Sequence, residues 1–275
     1  MLMVAPFFKA QKSPEKITVQ YKDLHQKNDQ LALDIYPVPN SKNLPVVVFV
    51  HGGAWMLGDK KTKIQPKVHL FNSQDYIFVS VNYRLSSFFN TKTQYPSHPN
   101  DVADAVKWLY ENIQRYGGNP DNMVLMGHSA GAQIVSLLGT SEAFLPKRGI
   151  SLKTIKGIIS IDTEGYDVAG MGDEGVKIYR RIFGEDAAQW KAASPQLNIT
   201  AGKNYPSFLV ATRGQSYRKQ ISSNFVNALK NAGAEAKHID VDPYSHFQSN
   251  NKIGTKGESI ITPHIMAFLR QCLGQ

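Results

Sequence analysis

The stretch Gly127-His128-Ser129-Ala130-Gly131 decides how this sequence is interpreted. It has the form G-x-S-x-G, with an apolar run at residues 123–126 before it and a helical apolar pattern at 130–138 after it. A serine between a strand and a helix sits in a sharp turn that exposes its hydroxyl, and glycines leave room on either side. We therefore predict that Ser129 is a covalent nucleophile.

Outward from this motif, strand-like and helix-like patterns alternate along the chain. Residues 45–50 and 76–81 are continuous apolar runs, as expected for strands buried on both faces. Apolar residues recur at helical spacing in 101–116. The alternation predicts the α/β class, with a mostly parallel sheet covered by helices on both faces. The other predicted strands are residues 17–21, 31–36, 155–161, 207–212 and 237–241, and the other predicted helices are 221–231 and 259–273.

Length and composition favour a single domain, residues 1–275. Of the 275 residues 42% are hydrophobic, which is enough for a sizeable core. Residues 165–202 differ from the rest because they hold two short helical patterns, near 176–183 and 187–193. We expect this segment to form a small cap-like insertion.

The charge pattern and the single cysteine exclude several classes of partner and structure. The net charge is +9, but the basic residues are spread along the chain without a recognition motif, which argues against a nucleic-acid partner. Cys272 has no second cysteine with which to form a disulfide. No apolar run reaches transmembrane length, so we expect no membrane insertion.

Residues 1–9 are apolar but short, they lack a charged start, and Pro6 interrupts them. These features make a poor signal peptide, and we expect an N-terminal arm packed on the body of a cytoplasmic protein. A trimmed leader would instead fit a secreted or periplasmic protein.

The second motif, His51-Gly52-Gly53-Ala54-Trp55, directly follows the strand predicted at 45–50. Paired glycines let backbone N–H groups turn toward a substrate carbonyl with no side chain in the way. We assign an oxyanion hole to the N–H groups of Gly52, Gly53 and Ala130, and we expect His51 to anchor this loop.

The chain has eight histidines from which a general base can come. His246 follows the last predicted strand and precedes the last predicted helix, so a loop there can carry it to the Ser129 hydroxyl. His128, inside the serine motif, is expected to point away from the reacting face of the serine. We predict His246 as the base. Surface, core or structural roles remain for His25, His69, His98, His238 and His264.

Together these motifs resemble the esterase/lipase branch of the α/β-hydrolases. This branch includes hormone-sensitive-lipase-like carboxylesterases, feruloyl and acetylxylan-type esterases, and kynurenine formamidases. The resemblance runs from about residue 31 to the C-terminus. It also rests on Gly58-Asp59, Asn82-Tyr83-Arg84-Leu85, Pro96, Pro99-Asn100-Asp101-Val102, Ala105, Trp108-Leu109, Tyr116-Gly117-Gly118-Asn119-Pro120 and Ala193-Ser194-Pro195.

The resemblance implies an α/β-hydrolase fold and a serine hydrolase acting on a small-molecule ester or activated amide. It implies no cofactor, and the sequence has no Cys/His cluster with the spacing of metal ligands. Trp55, His128 and Glu164 are our candidates for the substrate pocket. Phe88, Phe89 and residues 165–202 are further candidates that could equally belong to the core.

The sequence departs from this family at the acid that should orient the histidine. The resemblance places that acid after the strand at 207–212, but residues 213–220 read RGQSYRKQ, and no Asp or Glu occurs from Phe208 until Glu235. Asp162 is one alternative, because it ends the strand at 155–161, which should lie beside the serine. Glu164 is a second alternative, and a triad without a carboxylate is the third.

The sequence is compatible with two classes of function, an enzyme and a binding protein. Hydrolysis of short-chain carboxylic esters is our first prediction. An aryl formamide, or an aromatic acyl ester attached to plant polysaccharide, is an alternative substrate. The vacant acid position also allows a hydrolase fold kept as a binding module, although such a module has no need for both Ser129 and His246.

Overall fold

The computed structural model describes residues 15–22, 29–89, 92–173 and 177–274. Its centre is an eight-stranded sheet with the order β1-β2-β4-β3-β5-β6-β7-β8. The two contacts that β2 makes, with β1 and β4, are antiparallel, and all other neighbours run parallel. The strands are Ile17–Gln20 (β1), Ala32–Tyr36 (β2), Leu44–Val50 (β3), Ile77–Val81 (β4), Gly118–His128 (β5), Ile155–Ile161 (β6), Ser207–Thr212 (β7) and Ala236–Asp240 (β8). The mostly parallel sheet predicted from the sequence is confirmed.

Helices cover both faces of this sheet. They are Gln65–Asn72 (α1), Ser97–Asn112 (α2), Ala130–Thr140 (α3), Val168–Asp173 (α4), Lys177–Phe183 (α5), Ala187–Ala193 (α6), Ser216–Asn231 (α7), His246–Asn251 (α8) and Thr262–Leu273 (α9). Helices α2, α3 and α7 contribute apolar residues to one core cluster, and α1 and α9 contribute to the other.

The continuous apolar run of β3 follows from this double burial. Val46, Val48 and Val50 pack into one cluster, whereas Val47 and Phe49 pack into the other. Successive side chains of a strand point to opposite faces, so both sets must be apolar when helices cover both faces.

Several predicted boundaries were wrong, because helices and strands extend into polar residues outside the apolar patterns. Helix α2 begins at Ser97 rather than at residue 101, because the first turn of a helix tolerates a proline such as Pro99. Helix α7 begins at Ser216, five residues before its apolar pattern starts. Strand β5 extends to both sides of the predicted residues 123–126, and α1, α4 and α8 were not predicted.

The insertion between β6 and β7 contains three short helices, α4, α5 and α6, where two were predicted. Tyr179 and Phe183 of α5 lie against the ring of Trp55, with centroids 5.7 and 5.1 Å away. The single-domain organisation remains a prediction, and the N-terminal arm at residues 1–9 and His25 lie outside the described residues. Of the helices in the described ranges, none combines the length and the apolar character needed to cross a bilayer.

Candidate active site

Ser129 stands in a tight turn between β5 and α3. Its backbone angles are φ 55° and ψ −119°, a strained conformation for a residue with a side chain. A Cβ atom on Gly131 would lie 2.2 Å from the carbonyl oxygen of Val50, and one on Gly127 would lie 2.3 Å from the carbonyl oxygen of Gly131. Glycine at position 131 therefore lets the turn approach β3, and glycine at position 127 leaves room for the first turn of α3.

Backbone hydrogen bonds tie this turn to the neighbouring strands. The Ser129 N–H donates to the carbonyl of Ile161, the last residue of β6, at 2.8 Å. The next residue, Asp162, donates its own N–H to the carbonyl of Ala211 in β7, also at 2.8 Å. Ser129 and Asp162 therefore stand side by side at the carboxyl edge of the parallel strands.

The structure brings Ser129, His246 and Asp162 into one hydrogen-bonded row. The distance from His246 Nε2 to Ser129 Oγ is 3.0 Å, and the distance from His246 Nδ1 to Asp162 Oδ2 is 2.6 Å. His246 is the first residue of α8 rather than part of a loop. This geometry is the one required of a nucleophile, a base and an orienting acid.

Of the two carboxylates considered for the third position, Asp162 contacts His246. Asp162 is fully buried, and Glu164 pairs with Arg218 instead. Burial raises the pKa of Asp162, but hydrogen bonds from His246, Arg218 and Arg213 lower it more, so the net pKa lies below its ordinary value. Asp162 is thereby held as a carboxylate.

The two arginines beside Asp162 were not predicted from the sequence. Arg213 Nε donates to Asp162 Oδ2 at 2.8 Å, and Arg218 Nη2 donates to Asp162 Oδ1 at 2.9 Å. Both residues come from the segment in which the resemblance expects the acid. The sequence did carry one signal for this arrangement. The position expected to hold the acid is followed by arginines instead, and cations at that place imply that an anion lies within reach.

His128 supports His246 and does not line the cleft beside Ser129. Its Nε2 lies 2.8 Å from the carbonyl oxygen of His246, and the two rings are 4.6 Å apart. Burial, together with the proximity of His246, lowers the pKa of His128 to about 3. The ring is therefore neutral at pH 7, and its Nε2–H donates to that carbonyl.

The residues predicted for an oxyanion hole gather around Ser129. A Cβ on Gly52 would lie 2.9 Å from Ser129 Cβ, which shows how closely the loop approaches the serine. In the described part of the chain, the N–H groups of Gly52 and Gly53 have no carbonyl acceptor. Ala130 is the first residue of α3, so its N–H also lacks an acceptor inside the helix.

Contacts behind this loop fix its path. Tyr83 Oη donates to the carbonyl of His51 at 3.0 Å, and the two rings stack with centroids 4.6 Å apart. Trp55 Nε1 donates to Gln133 Oε1 at 3.2 Å, and Gln133 Nε2 donates to the carbonyl of Ala193 at 2.8 Å. The loop is thus connected to the insertion through α3.

A cleft of about 340 Å³ opens over Ser129. Trp55 and Glu164 line it as predicted, and α5 of the insertion contributes two residues to its wall. Phe88 and Phe89 do not line it and are largely exposed. The lining residues are Ala54, Trp55, Ser129, Ala130, Asp162, Thr163, Glu164, Ile178, Tyr179, Arg213, Arg218 and His246.

His128, Asp162 and His246 also bring potential metal-ligand atoms within 4.8 Å of one another. Each of these groups already has a hydrogen-bond partner: His128 bonds to the His246 carbonyl, and the two nitrogens of His246 face Ser129 and Asp162. The donor set therefore fits proton transfer better than metal binding.

Several proteins that are similar to this chain are named as esterases. The family model described as BD-FAE matches residues 33–156. Para-nitrobenzyl esterase of Bacillus subtilis is 36% identical over 131 residues, which cover 44% of this chain and 27% of that protein. A probable isoprenylcysteine alpha-carbonyl methylesterase of Arabidopsis thaliana is 30% identical over 260 residues, covering 86% of this chain and 59% of that protein. The chain spans about a quarter of the length of the first curated relatives it matches.

Solved structures share the fold at low sequence identity. Esterase B from Lactobacillus rhamnosis superposes with a TM-score of 0.76 at 18% identity, covering 95% of this chain and 85% of that one. A truncated carbohydrate esterase from gut microbiota gives a TM-score of 0.76 at 17% identity, covering 97% and 99% of the two chains. The sheet topology, the serine turn and these superpositions lead to one conclusion: the chain has the α/β-hydrolase fold, and the proteins that it resembles in sequence are named as esterases.

Proposed function

We propose that this protein hydrolyses carboxylic esters through an acyl-enzyme on Ser129. The observation that carries the proposal is the row of contacts from Ser129 Oγ to His246 Nε2 at 3.0 Å and from His246 Nδ1 to Asp162 Oδ2 at 2.6 Å. The esterase names of the relatives support the same reaction class.

In the first half of the reaction, Ser129 Oγ attacks the ester carbonyl carbon while His246 Nε2 takes its proton. The carbonyl oxygen becomes an oxyanion, which the N–H groups of Gly52, Gly53 and Ala130 stabilise. The intermediate then collapses, the bond to the leaving oxygen breaks, and the imidazolium donates its proton to that oxygen. An alcohol departs, and the acyl group remains on the serine.

In the second half, a water molecule replaces the alcohol. His246 takes a proton from the water as its oxygen attacks the acyl carbon, and the same N–H groups hold the second oxyanion. Collapse breaks the bond to Ser129 Oγ, which recovers a proton from His246. The carboxylic acid leaves, and Asp162 stays ionised throughout while it stabilises the imidazolium.

A short acyl group is the substrate feature that the cleft supports best. Its volume is about 340 Å³, and Trp55, Ile178 and Tyr179 contribute apolar surface to its walls. Pockets at the small end of the usual range suit small ligands. The formyl group of an aryl formamide is smaller than the acyl group of any ester in the panel below. An aryl formamide is therefore tested there as a competing substrate.

Labelling with a fluorophosphonate probe, followed by peptide mapping, tests the nucleophile. We expect label on Ser129 in the folded protein and none in Ser129→Ala. A panel of p-nitrophenyl esters from acetate to dodecanoate, with N-formylkynurenine beside it, tests the substrate. We expect the acetate and butyrate esters to have the highest kcat/KM. Folded protein that takes no label on Ser129 would overturn the proposal.

A further inference from the structure

The segment after β7 carries two arginines at the place where related hydrolases are expected to carry their acid. Arg213 directly follows the strand, and Arg218 lies in the first turns of α7. Both reach across to the end of β6, where Asp162 is located. The side chains are mostly covered, with 25% of Arg213 and 14% of Arg218 exposed.

The two arginines contact different oxygens of the same carboxylate. Asp162 Oδ2 accepts from His246 Nδ1 at 2.6 Å and from Arg213 Nε at 2.8 Å, whereas Oδ1 accepts from Arg218 Nη2 at 2.9 Å. Arg218 is held in turn by Glu164, which accepts from its Nη1. The carboxylate cannot rotate without breaking at least one charge-assisted hydrogen bond.

We propose that Arg213 and Arg218 are positioning residues that take over the vacant acid site and clamp the relocated acid Asp162 against His246. Arg218 fixes the orientation of the carboxylate through Oδ1. Arg213 shares Oδ2 with His246 and so reduces the negative charge that the imidazole experiences. The inference rests on the proposed function only for its kinetic readout.

The electrostatic effect follows from the charges around His246. Two carboxylates, Asp162 and Glu164, are balanced by two guanidinium groups, those of Arg213 and Arg218. The neighbouring His128 ring is neutral. Lys67 of α1 lies near the end of α8, with its Nζ 2.8 Å from the Asn250 carbonyl oxygen. Removal of one guanidinium leaves the carboxylates in excess, which favours the imidazolium over the neutral base. The enzyme should then need a higher pH before His246 can accept the serine proton.

The pH profile of kcat/KM for p-nitrophenyl acetate separates this role from a purely structural one. In Arg213→Gln we expect the acid limb to move to higher pH by about half a unit or more, because a nearby cation is lost. In Arg218→Gln we expect kcat to fall at least about tenfold with little change in KM, because Asp162 loses its fixed orientation. Arg213→Lys keeps the charge, so its acid limb should stay at the wild-type position.

Lys219→Gln is the matched control, since it removes a cation from the same helix. Lys219 pairs with Asp240 and Asp242 at the surface and does not contact Asp162. We expect its kcat and acid limb to match those of the wild type. If the glutamine variants fold poorly, Arg218→Lys decides, and it should lower kcat without moving the acid limb.

NMR signals of the His246 ring test the positioning role of the two arginines independently of ester hydrolysis. The titration midpoint of the ring should move to higher pH in Arg213→Gln, and the downfield resonance of the Nδ1 proton should weaken in Arg218→Gln, whether or not the protein turns over an ester. If both glutamine variants have a kcat within twofold of wild type, an unmoved acid limb and unchanged ring signals, the inference is overturned.

Discussion

Asp162 is a buried carboxylate whose two oxygens meet one imidazole and two guanidinium groups. A buried charge is costly unless it is paired and hydrogen-bonded, and here every contact donates to the anion. The residue also has φ 51°, a left-handed backbone conformation. A strained, fully paired acid beside the nucleophile is typical of a functional position.

Asp162→Asn is the first prediction for a single residue. An amide at this position can hold His246 in the wrong tautomer and cannot stabilise the imidazolium, so we expect kcat for a p-nitrophenyl ester to fall by ~10⁴. Glu164→Gln, which alters the carboxylate that contacts Arg218, serves as the comparison and should lose far less. Activity of Asp162→Asn within a few-fold of wild type would show that Asp162 is not the acid.

His128→Gln tests the neutral histidine behind His246. The folded pKa is about 3, whereas an unfolded histidine has a pKa of about 6.5, so between these values only the unfolded state binds the proton. The free energy of unfolding should therefore fall as the pH drops from about 6.5 toward 3, by up to about 1.4 kcal/mol per pH unit from this group.

Urea unfolding at several pH values measures this slope. His128→Gln should be less sensitive to acid than the wild type, because glutamine does not titrate and can still donate to the His246 carbonyl. The exposed His69→Gln is the control and should keep the wild-type slope. Identical acid sensitivity of wild type and His128→Gln would contradict the conclusion that His128 stays neutral in the folded protein.

Local sequence indicated Ser129 and His246 but left the acid open. The serine turn and the late histidine have fixed positions relative to predicted strands, so topology alone places them together. The choice between Asp162 and Glu164 depends on which of two residues just after one strand meets His246. Arg213 and Arg218 contact an acid about fifty positions away, and no local pattern encodes such a contact.

Among the helices and strands, α8 was not predicted although the sequence carries a signal for it. Six residues are too short for an apolar period, and the segment was predicted as a loop. Ser245 and Gln248 nevertheless form a capping box, a sequence signal that precedes many helices. The Gln248 N–H lies 3.3 Å from Ser245 Oγ, and the Ser245 N–H lies 2.9 Å from Gln248 Oε1.

Ser245→Ala should affect both stability and turnover. Loss of the cap typically costs about 1 kcal/mol, and α8 begins at His246, so the base loses part of its support. Asp186→Ala removes the cap of α6, where Asp186 Oδ1 accepts from the Ala188 N–H, and it serves as the control. We expect similar losses in urea unfolding but a several-fold lower kcat only for Ser245→Ala. Equal kcat in the two variants would argue against this role.

At the scale of the whole molecule, one buried lysine couples stability to pH. Lys67 is fully buried; its Nζ donates to the Asn250 carbonyl at 2.8 Å and lies 5.2 Å from the centre of the Phe49 ring. Burial lowers the pKa of Lys67 to about 7. An unfolded lysine has a pKa of about 10.4, so between the two values only the unfolded state binds the proton. Raising the pH through this window should stabilise the fold.

Lys67→Met removes this dependence. The free energy of unfolding of the wild type should rise between about pH 7 and about pH 9.5 relative to that of the variant, by up to about 1.4 kcal/mol per pH unit. The exposed Lys63→Met provides the control and should follow the wild type. Parallel urea-unfolding curves for wild type and Lys67→Met at both pH values would contradict the prediction.

The backbone bonds from Ser129 to Ile161 and from Asp162 to Ala211 have a further consequence for how the molecule opens. They attach the nucleophile and the acid to three adjacent strands, β5, β6 and β7, so neither amide proton can reach solvent unless those strands separate. Both protons should therefore exchange with deuterium at the slow rate of global unfolding, and at the same rate as each other. The reactive geometry would then last as long as the folded sheet itself.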